Sequence, residues 1–524
     1  MVSGIVANKT RRFEALAGGE TEVSRRIKSV EQSINETHEQ GHQLKRNLGV
    51  IDLAVMGVAV AVGAGIFSVG AEAAANYAGP AVIISFIIAA AVCALAIMCY
   101  AEFASSIPVA GSAYTFTYST MGEVLAWMIG WDLILETLMA GSVIAKYWGI
   151  YLSEAFTLFG LGISPTIALG GGVTLDWGPV VIVAIFTVLL ALGTRLSARV
   201  NAVFTTLKVS IVLFVIIVGF TYVKAENFHP FIPAAEPRTT STAVLQQSLF
   251  SFLTGAQPST YGIFGILSAA SLVFFAFIGF DVVATSAEEA KDPKRTIPRG
   301  IMLGLAITTV LYILVAIVVT GMVNYKKLAA TGNPSLATAF ELVGANWAAK
   351  IITVGILIGL TTVVMVLLLG LARIIFAMSR DGLLPRSFSL TSAKHGTPAK
   401  LQIAVGAVIA AIAGFTNVGI LSDMINIGTL SAFVLVSFGV PILRKSRPDL
   451  ERTFKVPASP WLPWLSGLAC LWLMVNLPNE TWIRFVVWLV IGFIIYFSYS
   501  RRHSLVGLAE SAADVEEAVI DTPH

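Results

Sequence analysis

Long apolar runs alternate with short polar stretches over most of the chain, from about residue 47 to residue 500. Runs of this length can cross the hydrocarbon core of a bilayer as helices. The pattern predicts twelve spans, of which the third and the eighth are longer than a bilayer needs and should tilt or protrude. The predicted spans are 47–71, 80–105, 113–150, 178–194, 199–223, 265–290, 298–324, 347–379, 400–415, 419–442, 461–477 and 481–500.

The first span contains a glycine cluster near its middle, formed by Gly63, Ala64 and Gly65. Glycine leaves the helical conformation more readily than other residues. An unwound turn at membrane depth frees N–H and C=O groups that lipid cannot satisfy, so such a break survives only beside a cavity or a polar contact. The cluster therefore predicts a broken helix built around a ligand. The alternative is that these glycines only permit close helix packing.

The sixth span shows a similar interruption, because Gly279 is followed almost at once by Asp281, an acid at membrane depth. Interrupted segments at matching positions of two halves are the sequence sign of an inverted-repeat transporter with its substrate site between them. The two halves are not alike in sequence, so the repeat follows from span counting. We expect an all-α integral membrane protein with a five-plus-five inverted repeat, broken helices one and six, and two additional C-terminal helices.

This organisation divides the chain into five parts, with both tails placed in the cytoplasm because the Lys and Arg residues concentrate in one set of loops. The parts are a tail at 1–46, repeats at 47–223 and 265–442, helices eleven and twelve at 461–500, and a tail at 501–524.

Composition supports a polytopic membrane protein, because 56% of the residues are hydrophobic, only 12% are charged, and the mean hydropathy is +0.82. A soluble domain carries about 25% charged residues. No basic cluster interleaved with aromatic residues suggests a nucleic acid partner, and the three cysteines lack metal-site spacing. Without a clustered metal set, a nucleophile–base pair or a phosphate-binding loop, we expect no cofactor and no enzymatic activity.

Eight short motifs follow one another along the chain. They are GAGIF at 63–67, YAGPA at 77–81, YAEF at 100–103, PVAGSAY at 108–114, GWDLILE at 130–136, FFAFIGFD at 274–281, EEAKDP at 288–293 and RDGLLP at 380–385. The series resembles the amino acid–polyamine–organocation superfamily, and within it the cationic amino acid transporter family and its bacterial relatives. The resemblance extends from about residue 45 to residue 503.

This resemblance implies a secondary active amino acid transporter of the plasma membrane that works by alternating access. It implies proton coupling without sodium and a preference for cationic amino acids such as arginine, lysine and ornithine. The partners are then an amino acid, protons and the bilayer, while protein partners are unknown. Two alternatives stay open: an exchanger of amino acids or amines, and a transporter-like sensor that signals through a tail.

In such relatives the two breaks hold the backbone of the substrate. The free N–H groups at Gly63, Ala64, Gly65 and Ile66 take the α-carboxylate, and the positive end of a helix dipole independently favours an anion there. Carbonyls around Gly63 and in the second break take the α-ammonium. The second-break residues expected at the site are Phe275, Phe277, Ile278 and Gly279. Ala64 occupies a position where many members carry Ser or Thr, so a hydroxyl contact is missing.

Lys208 lies about 10 Å inside the fifth span at 1.5 Å rise per residue. Its side chain could snorkel to the membrane surface. Proton-coupled relatives carry a lysine at the matching place, where its ammonium occupies the site that sodium fills in sodium-coupled members. The resemblance therefore makes Lys208 the proton-coupling residue.

Glu136 and Asp281 are acids at membrane depth, where a charge is costly and should face a cavity or a partner. They could receive the cationic side chain of a substrate. Alternatively they have structural roles, for example an ion pair between Glu136 and Lys146. Among the aromatic residues, we expect Phe277, and after it Phe275, to form a lid between the site and the outside.

Overall fold

The computed structural model describes residues 48–106, 112–118, 121–170, 173–193, 198–237, 244–255, 259–280, 283, 290–332, 334–390, 397–450 and 452–508. Within these ranges the chain is nearly all helical, as predicted. The tail predicted at 1–46 lies outside the described residues, as does most of the tail at 501–524.

The helices of the first part are α1 Val50–Ala61, α2 Gly70–Ala73, α3 Val82–Ser106, α4 Ser112–Tyr118, α5 Glu123–Leu158, α6 Trp177–Ala191, α7 Ala198–Phe220 and α8 Leu249–Thr254. The remaining helices are α9 Gly262–Val273, α10 Pro293–Met322, α11 Tyr325–Ala329, α12 Leu336–Leu342, α13 Asn346–Arg380, α14 Ala399–Phe415, α15 Val418–Ser446, α16 Trp461–Val475, α17 Asn479–Ile495 and α18 Arg501–His503. Two antiparallel pairs of short strands join β1 Thr166–Gly170 to β2 Val173–Asp176 and β3 Glu236–Pro237 to β4 Ser259–Thr260.

Among the described residues, seven helical segments are long and apolar enough to cross a membrane, and five shorter helices are also apolar. Apart from the third span, their positions follow the predicted spans with most boundaries within a few residues, so the multi-span membrane fold is confirmed. The exact number of twelve crossings stays a prediction. At 36 and 35 residues, α5 and α13 are about 54 and 52 Å long, well beyond the core of a bilayer, as expected for the third and eighth spans.

The predicted third span, 113–150, was wrong as a single helix. The structure divides this region into α4 and the longer α5, which begins at Glu123. Gly122 precedes α5 with a φ of +94°, a conformation that L-residues other than glycine rarely adopt, and this turn separates the two helices.

The centre of the molecule is α5, which packs against α4, α6, α13, α14 and α15. Two tryptophans of α5 hold the additional helix α17. Trp131 stacks on Trp488 with ring centroids 4.4 Å apart and donates its indole N–H to the Trp488 carbonyl at 2.8 Å, and Trp127 donates to the Gly492 carbonyl at 3.0 Å. On the other side of the bundle, α10 packs against α1, α3 and α7. Helix α10 thereby packs directly on α1, the first part of the interrupted first span.

Candidate functional site

The first predicted break is present. Helix α1 ends at Ala61, Val62 leaves the helical region with a ψ of 86°, and the chain resumes as a π-helix at Gly65–Val69. This stretch is buried from Ala61 to Val69. The span is therefore broken at membrane depth, as the glycine cluster predicted.

The reason for glycine at this break differs from the expected one. Neither Gly63 nor Gly65 has a positive φ. A Cβ on Gly63 would make only ordinary contact, 3.8 Å from the Val60 carbonyl oxygen. A Cβ on Gly65 would come within 2.6 Å of the Ala276 Cβ and 3.1 Å of the Ala276 nitrogen. Gly65 is needed because the first span approaches the sixth span closely here. At this position both expectations are therefore met: the helix is broken, and the glycine permits close packing.

The second break is also present and touches the first. Helix α9 ends at Val273, a 3₁₀ turn covers Phe274–Phe277, and Ile278 is extended with φ −71° and ψ 142°. Gly279 follows with a φ of +113°, so here the backbone conformation itself requires glycine. A Cβ on Gly279 would also collide with the Val60 side chain at the end of α1. Each break thus contributes one glycine to the contact between them: Gly65 lies against Ala276, and Gly279 lies against Val60.

Tyr312 of α10 connects the two breaks, and sequence reasoning missed it. Its buried hydroxyl lies 2.6 Å from the Ala61 carbonyl oxygen and 2.8 Å from the Ala276 carbonyl oxygen. A phenol has one proton to donate, so it can satisfy only one of these carbonyls at a time. A tyrosine in the middle of the apolar run of the seventh span was the available signal, since a buried phenol needs a hydrogen-bond partner.

Phe277, the predicted lid, packs edge-to-face against the Tyr312 ring at 5.2 Å and lies near Phe86 of α3 at 6.4 Å. It is 1% exposed, and Phe275 is 7% exposed. Both therefore belong to an aromatic cluster around the breaks in this conformation. The lid function stays a prediction.

Lys208 lies in α7 with its side chain turned into the protein. The ammonium donates to the Ala59 carbonyl at 3.1 Å, and the residue is 4% exposed. The stem runs along Gly359 of α13, where a Cβ would be 3.0 Å from the lysine Cγ. Ala59 belongs to the last turn of α1, the end at which a helix dipole carries partial negative charge. This geometry favours an interior role over snorkelling.

The structure does not place both predicted acids at the breaks. Asp281 lies outside the described residues. Glu136 is buried on α5 beside Gly428 of α15, where a Cβ would be 3.7 Å from the Glu136 Cβ. The α5 residue nearest Gly63 is Ile144, eight residues further along the helix, which is about 12 Å along its axis.

Lys146 does not form the suggested ion pair with Glu136; its ion-pair partner is Asp176, at the end of β2. This pair borders a cavity of about 670 Å³ at the C-terminal end of α5. Glu154, Ser335 and Glu341 also line this cavity. Burial raises the pKa of the Glu341 carboxyl, and the Ser335 hydroxyl donates to Glu154 at 3.3 Å. Next to the first break, by contrast, a gap beside Ile66 measures only about 10 Å³.

Comparison with known proteins agrees with this arrangement of helices. The family model described as amino acid permease matches residues 48–499. The chain is 42% identical to the methylthioribose transporter of Bacillus subtilis over 468 residues, which are 88% of this chain and 95% of that transporter. It is 43% identical to the branched-chain amino acid permease BcaP of the same organism over 487 residues, 91% of this chain and 98% of that permease.

A plant relative is more distant: the vacuolar cationic amino acid transporter 4 of Arabidopsis thaliana is 38% identical over 415 residues, 78% of this chain and 65% of that transporter. These relatives are transporters and permeases rather than enzymes. The motif series, the two facing breaks and a family match over most of the length agree, and the chain belongs to the amino acid permease family of the amino acid–polyamine–organocation superfamily.

Proposed function

We propose that this permease takes up amino acids across the plasma membrane by alternating access, driven by protons and independent of sodium, with both termini in the cytoplasm. The observation that carries the proposal is the Lys208 ammonium, which donates to the Ala59 carbonyl at the end of α1. A fixed ammonium repels a sodium ion from this position, and a lysine can gain and lose a proton within one transport cycle.

The substrate backbone would bind between the two breaks. The helix that resumes at Gly65 begins at the first break, and the positive end of its dipole favours the α-carboxylate there. The carbonyls of Ala61 and Ala276 face each other across the Tyr312 hydroxyl and are natural acceptors for the α-ammonium. Backbone atoms of the protein would thus bind the amino and carboxyl groups of any α-amino acid.

Proton coupling would act through α1. While Lys208 is protonated, its bond to Ala59 ties α7 to the last turn before the break. Loss of the proton to the cytoplasm removes the positive charge from this contact, so α1 can move relative to α7 and open the site to the other side. Burial of Lys208 makes its charge costly in the absence of the carbonyl, which couples its protonation to the position of α1.

The side-chain preference rests on other residues. A preference for cationic amino acids was expected from Glu136 and Asp281, and it stays a prediction. Among the relatives, one is named for cationic and one for branched-chain amino acids, so a panel of substrates has to decide.

The test is radiolabelled amino acid uptake into proteoliposomes with an imposed proton gradient, with and without sodium. We expect accumulation that follows the proton gradient and is unchanged when choline replaces sodium. Uptake that requires sodium would contradict the proposal. Uptake that requires internal amino acid and no gradient would identify an exchanger, and binding without uptake would identify a sensor.

A further inference from the structure

One face of α15 carries a row of polar residues in the membrane interior. Ser422, Asn426 and Thr429 are spaced by four and three residues, and Phe433 follows four residues later, so all four project from the same side of the helix. Their exposed fractions are 2%, 0%, 1% and 4%, so the face is buried along its whole length.

Phe433 shows what this face is turned towards. Its ring packs edge-to-face on Phe274 of the second break, with centroids 6.0 Å apart, and on Tyr100 of α3 at 5.8 Å. The opposite side of α15 faces α5, because Ser431 donates to Asp132 there. The row of polar residues therefore belongs to the side of α15 that looks towards the break in span six.

Asn426 and Thr429 have no hydrogen-bond partner among the described residues. Both polar atoms of the Asn426 amide and the Thr429 hydroxyl are buried and unpaired. The Ser422 hydroxyl of the same row is buried and unpaired as well, whereas two serines elsewhere on the helix are paired: Ser431 donates to Asp132, and Ser437 bonds with Ser466 at 2.8 Å. Lipid offers no partner at this depth, and buried polar groups left unpaired are costly. Because this face looks towards the second break, a substrate that enters the protein can supply the missing partner.

We infer that Asn426 and Thr429 bind the side chain of the substrate, and that this side chain is neutral and bears a hydroxyl group. The inference rests on the proposed function, because it names the substrate class of the same site. An amide and a hydroxyl each donate and accept, which matches a hydroxyl partner. A cationic side chain only donates and would leave the amide N–H unpaired, so this inference departs from the cationic preference expected from Glu136 and Asp281. An aliphatic side chain would leave the three atoms unpaired.

Threonine and valine are the matched pair of probes, since they have nearly the same shape and differ by a hydroxyl and a methyl group. Each is used to compete with a radiolabelled substrate for uptake into proteoliposomes. A site built to bond a hydroxyl discriminates strongly against the analogue that lacks it. We expect wild-type protein to bind threonine at least about tenfold more tightly than valine.

Two nearly isosteric variants test the assignment, Thr429→Val and Asn426→Leu. We expect both to bring the ratio of threonine to valine affinity close to one, with valine binding retained or improved. The matched control is Thr187→Val, because the Thr187 hydroxyl is also buried and unpaired but lies on α6 against Gly406 of α14. This control should keep the wild-type ratio.

Size-exclusion profiles and thermal unfolding of each variant establish that it is folded, and threonine-induced thermal stabilisation gives a readout independent of transport. Equal affinity of the wild type for threonine and valine would overturn the inference while leaving amino acid transport intact. Equal loss of both competitors in Thr429→Val and Asn426→Leu would also overturn it and assign these residues a structural or water-binding role. Absence of uptake for every amino acid tested would refute the proposed function instead, and the inference with it.

Discussion

Replacing Gly65 by alanine should separate the two breaks, whereas the same change at Gly63 should be tolerated. A Cβ at Gly65 would lie 2.6 Å from the Ala276 Cβ, and one at Gly63 would lie 3.8 Å from its nearest neighbour, the Val60 carbonyl oxygen. Carbon atoms prefer separations of about 3.5–4.0 Å, so at Gly65 the segments must part by about 1 Å. Overpacking of this kind costs about 1–3 kcal/mol.

A shift of 1 Å between the segments proposed to hold the substrate backbone should have a larger effect on transport than on folding. We expect Gly65→Ala to lower substrate affinity by about tenfold or more, in line with its overpacking cost, while Gly63→Ala stays within about threefold of wild type. The assay is uptake in proteoliposomes, with thermal unfolding of the detergent-purified protein measured in parallel. Equal effects of the two alanines, or wild-type affinity in Gly65→Ala, would refute the reasoning from close approach.

Three further predictions concern single side chains. Tyr312→Phe keeps the ring but removes the hydroxyl that donates to the Ala61 and Ala276 carbonyls, so it should lower the thermal stability of the empty protein and increase the stabilisation that substrate adds; an unchanged thermal-shift titration would contradict this. Lys208→Met should retain some substrate binding but lose pH-dependent accumulation, and accumulation with unchanged pH dependence would exclude the coupling role. Glu136→Gln should weaken arginine and lysine more than alanine if Glu136 reads a cationic side chain, whereas equal losses in a competition assay would assign it a structural role.

The spans could be predicted because apolar periodicity and length act locally, so their positions needed no knowledge of tertiary contacts. The breaks could be predicted from glycine for the same reason. At Gly279 the expected cause was correct, since the backbone there has a φ of +113°. At Gly65 the cause is contact with Ala276, a residue more than 200 positions away, and no local pattern reveals that contact.

The unpredicted parts of the site depend on which residues meet in space. Tyr312 joins carbonyls at positions 61 and 276, and in the sequence it is one aromatic residue in an apolar run. The sequence suggests Lys146 as one possible partner of Glu136 because the two share a helix, yet the chain folds back through the β1–β2 hairpin and brings Asp176 to the lysine. Such pairings follow from topology, which periodicity does not determine.

The Tyr312 hydroxyl has a consequence for how binding and conformation are connected. It offers one proton to the two carbonyls of Ala61 and Ala276, so it cannot give a full hydrogen bond to both at once. A substrate ammonium has three protons, so it can donate one hydrogen bond to each of the two carbonyls and still has a third proton to donate. Substrate binding would therefore correct a deficit that the empty protein carries at the junction of its two halves. In the proposed site, a bound substrate would link the two breaks, so the halves would be harder to separate when the site is occupied than when it is empty.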